Sequence, residues 1–190
     1  IATWTTWVGG KDMQTRYQAH GAPGNLLDLY AAADIPETEM FNKKRDVLIA
    51  KFASSAAHVM DRRLVSAETG TWLKEHFQET LADVKYLADD MFLGGINHIF
   101  YHGTCYSPEE APWPGWVFYA STQMNPRNAI WRDVPTLNDY IARTQSVLQS
   151  GQPDNDVLVY WPISDQWHNA SGMQQHVEVV SNDWFYDQSI

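Results

Sequence analysis

Short runs of alternating apolar and polar residues are spaced along the chain, and stretches with apolar residues at helical intervals separate them. Arg16-Tyr17-Gln18-Ala19-His20, Ile35-Pro36-Glu37-Thr38-Glu39, Leu64-Val65-Ser66-Ala67-Glu68 and Ile96-Asn97-His98-Ile99-Phe100-Tyr101-His102 read as strands with polar groups toward their C-terminal ends. After Pro23-Gly24-Asn25, the residues Leu26, Leu27, Leu29 and Tyr30 predict a helix, capped by Asn25 and with Asp28 in its first turn. Leu48, Phe52, Ala56 and Val59 predict a second helix over 46–60. Thr69-Gly70-Thr71 reads as a turn into a third and longest helix over 71–92, with the apolar line Leu73, Phe77, Leu81, Val84, Ala88, Met91, closed by Gly94-Gly95. Pro135-Thr136 opens a last helix carrying Leu137, Ile141, Thr144 and Leu148 on one side.

Strands that alternate with helices imply an α/β fold with a parallel sheet, and polar groups gathered at strand C-termini are what a (β/α)8 barrel presents to a substrate. Four strand–helix units are half of the eight that a closed barrel needs. We therefore expect the C-terminal half of a TIM-type (β/α)8 barrel over residues 1–150. Ser150-Gly151-Gln152-Pro153-Asp154-Asn155 reads as a linker, and Val157–Trp161 as the first strand of a following α/β domain over 151–190. On this reading the chain is a fragment of a longer protein.

Alternation assigns faces. Arg16, Gln18 and His20 share one side of their strand, as do Leu64, Ser66 and Glu68 of theirs. Glu37 and Glu39, two apart, also share a face. Neighbouring strands lie about 5 Å apart, so Glu37, Glu39 and Glu68 can meet in one site. Two carboxylates in unlike environments can divide acid and base roles, as in glycoside hydrolysis. A carboxylate cluster can equally hold Ca²⁺. His98 and His102 share a face with Phe100, while Asn97 and Tyr101 point the other way. The two histidines stand about 13 Å apart at strand rise, too far for one zinc ion. Tyr101 or His102 is read as a pocket-lining hydrogen-bond group.

Composition narrows the classes. The net charge of the 190-residue chain is −10, which disfavours nucleic acid. No apolar stretch reaches the length of a membrane span. Cys105 is the one cysteine, so no internal disulfide can form. Nine Trp and nine Tyr suit either core filling or stacking on sugar rings. The loop of about thirty residues after His102 holds Trp113, Trp116 and Trp131, and loops this long are often lids or binding loops. Asn169-Ala170-Ser171 is a glycosylation sequon.

Arg16-Tyr17-Gln18-Ala19-His20-Gly21-Ala22-Pro23, Ala33-Asp34-Ile35-Pro36-Glu37-Thr38-Glu39, Leu64-Val65-Ser66-Ala67-Glu68-Thr69, Gly95-Ile96-Asn97-His98 and Pro112-Trp113-Pro114-Gly115-Trp116 resemble the barrel of glycoside hydrolase family 106, the α-L-rhamnosidases. The resemblance runs from about Arg16 to Trp161. It implies an inverting, calcium-assisted enzyme that removes terminal rhamnose from plant polysaccharides such as pectic rhamnogalacturonans. It also implies the remaining domains of a longer parent chain, exported to the bacterial periplasm or surface. The family's acid matches best the Glu-x-Glu of Glu37 and Glu39, which we read as Glu39 the acid and Glu37 a metal or sugar contact, with Glu68 as the base. Arg16, Gln18, His20, Asn97, Tyr101 and His102 would line the site and orient sugar hydroxyls, and Trp113 or Trp116 would stack on the ring. Two rival readings are a retaining, β-galactosidase-like glycosidase with Glu68 as nucleophile, and a non-catalytic carbohydrate-binding fragment.

Overall fold

The computed structural model describes residues 1–41 and 46–168. Four strands, β1 (Arg16–Gln18), β2 (Ile35–Phe41), β3 (Ser66–Thr71) and β4 (His98–Tyr101), form one parallel sheet in sequential order. Helix α1 (Ala2–Gly9) precedes β1, α2 (Leu26–Ala31) follows it, α3 (Val47–Val59) follows β2, and α4 (Leu81–Leu93) follows β3. A long loop after β4 ends in a 3-10 turn (Ala129–Asp133), then α5 (Val134–Leu148) and the short α6 (Ile163–Trp167).

Local chemistry sets the helix starts. The Asn25 side chain accepts from Leu27 N at 3.1 Å, and Asp46 from Leu48 N at 2.8 Å, satisfying N–H groups that the helices leave unpaired. Thr80 and Asp83 form a reciprocal capping box at α4. That box corrects the expectation of a helix from 71. The apolar spacing of Leu73 and Phe77 continues the pattern of α4 backwards, but Leu73 is exposed and Phe77 has φ 64°, outside any right-handed helix. Residues 69–71, expected as a turn, instead complete β3. At the other end of α4, Gly95 takes φ +89°, and a Cβ there would lie 2.8 Å from that of Ser54.

The helices cover one face of the sheet. Met40 and Ala67 from the strands, with Ala19 and Val65 next to β1 and β3, meet Leu26, Tyr30, Phe52, Ala53 and Met91 in the main core. A second cluster joins Val84 and Ala88 of α4 to Leu137 and Ile141 of α5. Along β2, Pro36, Thr38 and Met40 are buried while their neighbours are not, the alternation of a sheet with one helix-covered side. At the outer edge of β4, Gln145 Oε1 of α5 accepts from Ile99 N at 2.6 Å, and Gln149, just past the helix, donates through Nε2 to Asn97 O at 2.5 Å.

Val157–Trp161 does not form the expected strand. Residues 157–160 are exposed without a sheet partner, and Trp161 packs edge-on against Phe52 with ring centres 4.6 Å apart. Most of the expected following domain, and the Asn169 sequon, lie outside the described residues.

Candidate active site

Parallel register brings the polar side chains into rows. Gln18 stands opposite Glu37, Glu37 opposite Ser66, and Ser66 opposite His98. One row nearer the strand C-termini, Glu39 stands opposite Glu68, and Glu68 opposite Phe100. Residues in register share a face, and this is the face away from the helices. The three glutamates therefore gather on one surface, as their alternation predicts.

A bulge completes the arrangement. Glu39 pairs with Glu68, yet Phe41 pairs with Thr71, so β3 carries one extra residue in this stretch. Gly70, at φ +93°, supplies the left-handed conformation that such a bulge uses. Without the extra residue, Thr71 and Glu68, three apart, would face opposite ways. With it, Thr71 Oγ1 donates to Glu39 Oε1 at 2.5 Å.

Each carboxylate has its own partners. Glu37 Oε2 accepts from Ser66 Oγ at 2.9 Å and pairs with Arg16 Nε at 3.1 Å. The Arg16 guanidinium also lies over the Phe100 ring, 3.6 Å from its centre. Glu39 Oε2 accepts from Gln18 Nε2 at 3.1 Å, with His20 Nε2 at 3.7 Å. Glu68 Oε1 and His102 Nδ1 are 2.6 Å apart, and the Glu68 side chain, at 31% exposure against 11% for Glu39, is the more open of the two.

Burial shifts two groups on this surface. It pushes the Glu37 carboxyl above its ordinary range, against the hydrogen bond from Ser66 and the charge of Arg16. It also pushes His20 below its ordinary value, although the charges of Glu39 and Glu68 pull the other way. His20 Nδ1 and His102 Nε2 are buried and have no hydrogen-bond partner among the described residues. Buried polar atoms without partners call for an explanation, and a bound ligand is one. Glu39, Glu68 and His102 each offer a donor atom, all within 4.8 Å of one another. The two carboxylates suit a hard cation such as calcium, which takes oxygen ligands, whereas the imidazole suits it poorly. Glu37, the residue expected at a metal, is outside this cluster and is engaged by Arg16 and Ser66.

Arg16, Gln18, His20 and His102 stand among the carboxylates as expected. Asn97 and Tyr101, expected beside them, are engaged elsewhere. Buried Asn97 ties the backbone: its Oδ1 accepts from Val65 N at 2.9 Å, and its Nδ2 donates to Arg63 O at 2.8 Å. Tyr101 packs with the α4–α5 cluster and donates to Asn138 Oδ1 at 2.7 Å. Trp113 and Trp116 are exposed on the long loop. Trp113 packs near Phe77 and donates to Arg127 O, while Trp116 N donates to Ser107 Oγ. Sequence reasoning missed Thr71, Phe100 and Ser66 as partners of the charged groups. Gly70 inside an otherwise strand-like run was the available signal for the bulge.

Fold and site together define an α/β protein that presents carboxylates and histidines on the open face of a parallel sheet. The chain belongs to the glycoside hydrolase 106 family: the family profile, described as alpha-L-rhamnosidase, matches residues 10–187. It is similar in fold to the solved structure of a rhamnosidase from Novosphingobium sp. PP1Y, with a TM-score of 0.69 and 24% identity over 79% of this chain and 15% of that one. It is 35% identical over 111 residues to a Formosa agariphila protein provisionally named a beta-glucuronidase, spanning 58% of this chain and 9% of the relative. The chain thus covers a small part of the length of either relative.

Proposed function

We propose that this chain supplies half of a (β/α)8 barrel, and with it the carboxylate face, of a glycosidase that removes terminal α-L-rhamnose from plant polysaccharides. The observation that carries this reading is the register pair Glu39–Glu68, with His102 closing the cluster. Sequential parallel strands with helices on one face are the repeating unit of such a barrel. The remaining strands, the following domain and export to the bacterial periplasm or surface belong to the parent chain in this proposal.

We move the acid role from Glu39, where the sequence expectation put it, to Glu68. Glu39 is occupied as an acceptor by Thr71 and Gln18 and suits a fixed negative charge beside the oxocarbenium-like transition state. Glu68 is more open and shares a short contact with His102, which suits a group that gives and takes a proton. Glu68 protonates the glycosidic oxygen, the bond from that oxygen to the anomeric carbon breaks, and water adds to that carbon and gives its proton to a carboxylate, Glu68 itself where the configuration is retained. Arg16, Gln18 and His20 hold the carboxylates and orient sugar hydroxyls. Calcium, when bound, would be held by the Glu39 carboxylate and would offset the negative charge of this face, while Glu68 keeps its proton for the leaving group.

Inverting enzymes separate acid and base by about 6.5–9.5 Å to admit water. One oxygen of Glu39 and one of Glu68 lie within 4.8 Å of each other. The nearness of these two atoms makes retention with Glu39 as nucleophile the second reading, since retaining pairs stand about 5–5.5 Å apart.

Turnover of an aryl α-L-rhamnoside by the full-length parent tests the assignment. Replacing Glu68 or Glu39 by Gln should each lower kcat by about 10²–10⁴-fold, and near-normal turnover in both variants would overturn it. The anomer first released, followed by NMR, separates inversion from retention.

A further inference from the structure

The turn from Phe118 to Gln123, within the long loop after β4, lies against the C-terminal ends of both β3 and β4. Trp72 N donates to Ala120 O at 2.8 Å, and Thr71 and Ser121 form an antiparallel bridge at the end of β3. Ser121 Oγ donates to Gly103 O, just past β4. Ala120 at φ 55° and Gln123 at φ 50° are left-handed without being glycine. Such residues persist where their surroundings over-determine them, and they gather at functional sites.

Gln123 supplies much of that constraint. It is fully buried, and its amide closes the turn: Nε2 donates to Phe118 O at 2.6 Å, and Oε1 accepts from Phe118 N at 3.4 Å. The two backbone groups fix which end of the amide is which. Nε2 also lies 3.2 Å from His76 Nδ1, and Gln123 N donates to Ser121 Oγ at 2.9 Å. A buried amide whose donors and acceptor are matched holds its segment to one conformation.

The turn presents the Phe118 ring to the carboxylate row. That ring packs on the His102 imidazole, with ring centres 5.3 Å apart and planes inclined at 40°. Gly103 admits it: a Cβ there would lie 3.3 Å from Phe118 Cε1. His102 depends on such support. Its Nδ1 reaches Glu68 Oε1 at 2.6 Å, but its Nε2 has no partner among the described residues. One hydrogen bond leaves an imidazole free to turn about it, so packing against Phe118 sets the plane of the ring.

We propose that Gln123 is a positioning residue for the proton transfer: its amide holds the turn that presses Phe118 on His102, and so keeps His102 aimed at Glu68. The proposal rests on Glu68 being the acid of the carboxylate row. Gln123 itself touches neither carboxylate nor sugar.

The test compares kcat/KM of the full-length parent on phenyl and on 2,4-dinitrophenyl α-L-rhamnoside. Phenolate is a poor leaving group and needs the acid, whereas dinitrophenolate leaves without it. Gln123→Met keeps the volume and removes both amide bonds. Its loss of kcat/KM should be about tenfold larger on the phenyl glycoside than on the dinitrophenyl one, part of the roughly 10²–10⁴-fold that a positioned acid contributes. Comparing two substrates within one variant cancels any loss of folded protein, which lowers both rates alike. If Gln123→Met does not fold, Phe118→Leu decides in its place, because it keeps the bonds of Gln123 to the Phe118 backbone and removes the ring. An unchanged ratio of the two rates overturns the proposal, however far both fall. A wild type that cleaves neither glycoside would instead sink the rhamnosidase reading. In that case the crystal structure of the variant decides: His102 Nδ1 displaced from Glu68 supports the positioning role, and an unmoved ring overturns it.

Discussion

The two faces of the sheet are built from the same four strands and are held by different forces. On the helix side, Ala19, Met40, Val65 and Ala67 pack into an apolar core. On the open side, Glu37, Glu39 and Glu68 are fixed by pairs: Arg16 and Ser66, Gln18 and Thr71, His102. Burial is expensive for charge and favourable for apolar surface, so the first face sets stability and the second is left to do chemistry. Alternation along the strand, one residue at a time, decides which duty each side chain has.

The largest expected effect is on the open face. Glu68→Gln should cost the roughly 10²–10⁴-fold in kcat given above while leaving Tm nearly unchanged, because the amide keeps the shape and one acceptor. If Glu68→Gln unfolds the protein at ordinary temperature, the division between the faces is wrong. Asn97→Ala should do the opposite. It removes a buried acceptor from Val65 N and a donor to Arg63 O, and should cost about 2–4 kcal/mol in denaturant unfolding. Its kcat, measured well below its melting point, should stay close to wild type. A large loss of kcat in soluble, folded Asn97→Ala would return that residue to the sugar site.

Thr71 sits at the boundary between the two duties, because the bulge at Gly70 turns it from one face to the other. Thr71→Val keeps the volume and removes the hydroxyl that donates to Glu39. We expect kcat to fall about tenfold, the size of one hydrogen bond to a charged group, with a smaller change in stability. An unchanged kcat would show that Glu39 is placed without Thr71.

The open face was legible in the sequence because period-two alternation is a local property. Gln18, His20, Glu37, Glu39, Glu68 and His102 follow from it and from the parallel pairing of consecutive strands. The same rule turns Asn97 and Tyr101 away from His98 and His102, and the structure engages them with Val65, Arg63 and Asn138. The start of α4 was misread because apolar spacing continues through Leu73 and Phe77, while the capping box at Thr80 and Asp83 sets the boundary. Thr71 and Gln123 were out of reach. One depends on a bulge that shifts register, the other on a turn that its own amide closes onto the Phe118 backbone. Neither leaves a period in the sequence.

The smallest expected effect tests whether the open face adds to stability through charge. Burial lowers the His20 pKa from its ordinary 6.5, so the folded protein takes up this proton less readily than the unfolded chain. Between pH 6.5 and the lowered folded value, the unfolded state holds more protons, so stability falls as pH drops through this window. Glu37 has the opposite sign: its pKa is raised, so its contribution is present at low pH and is lost as pH rises from 4.5. Because Glu37 is common to wild type and His20→Gln, comparing the two isolates the histidine. From pH 7 to 5 the wild type should lose more stability than the variant, by about 1 kcal/mol or less, read as the gap between their unfolding midpoints. Parallel curves would show that His20 titrates alike folded and unfolded. A gap of the reverse sign would show that Glu39 and Glu68 outweigh burial, making the carboxylate row a cation-binding surface even toward its own histidine.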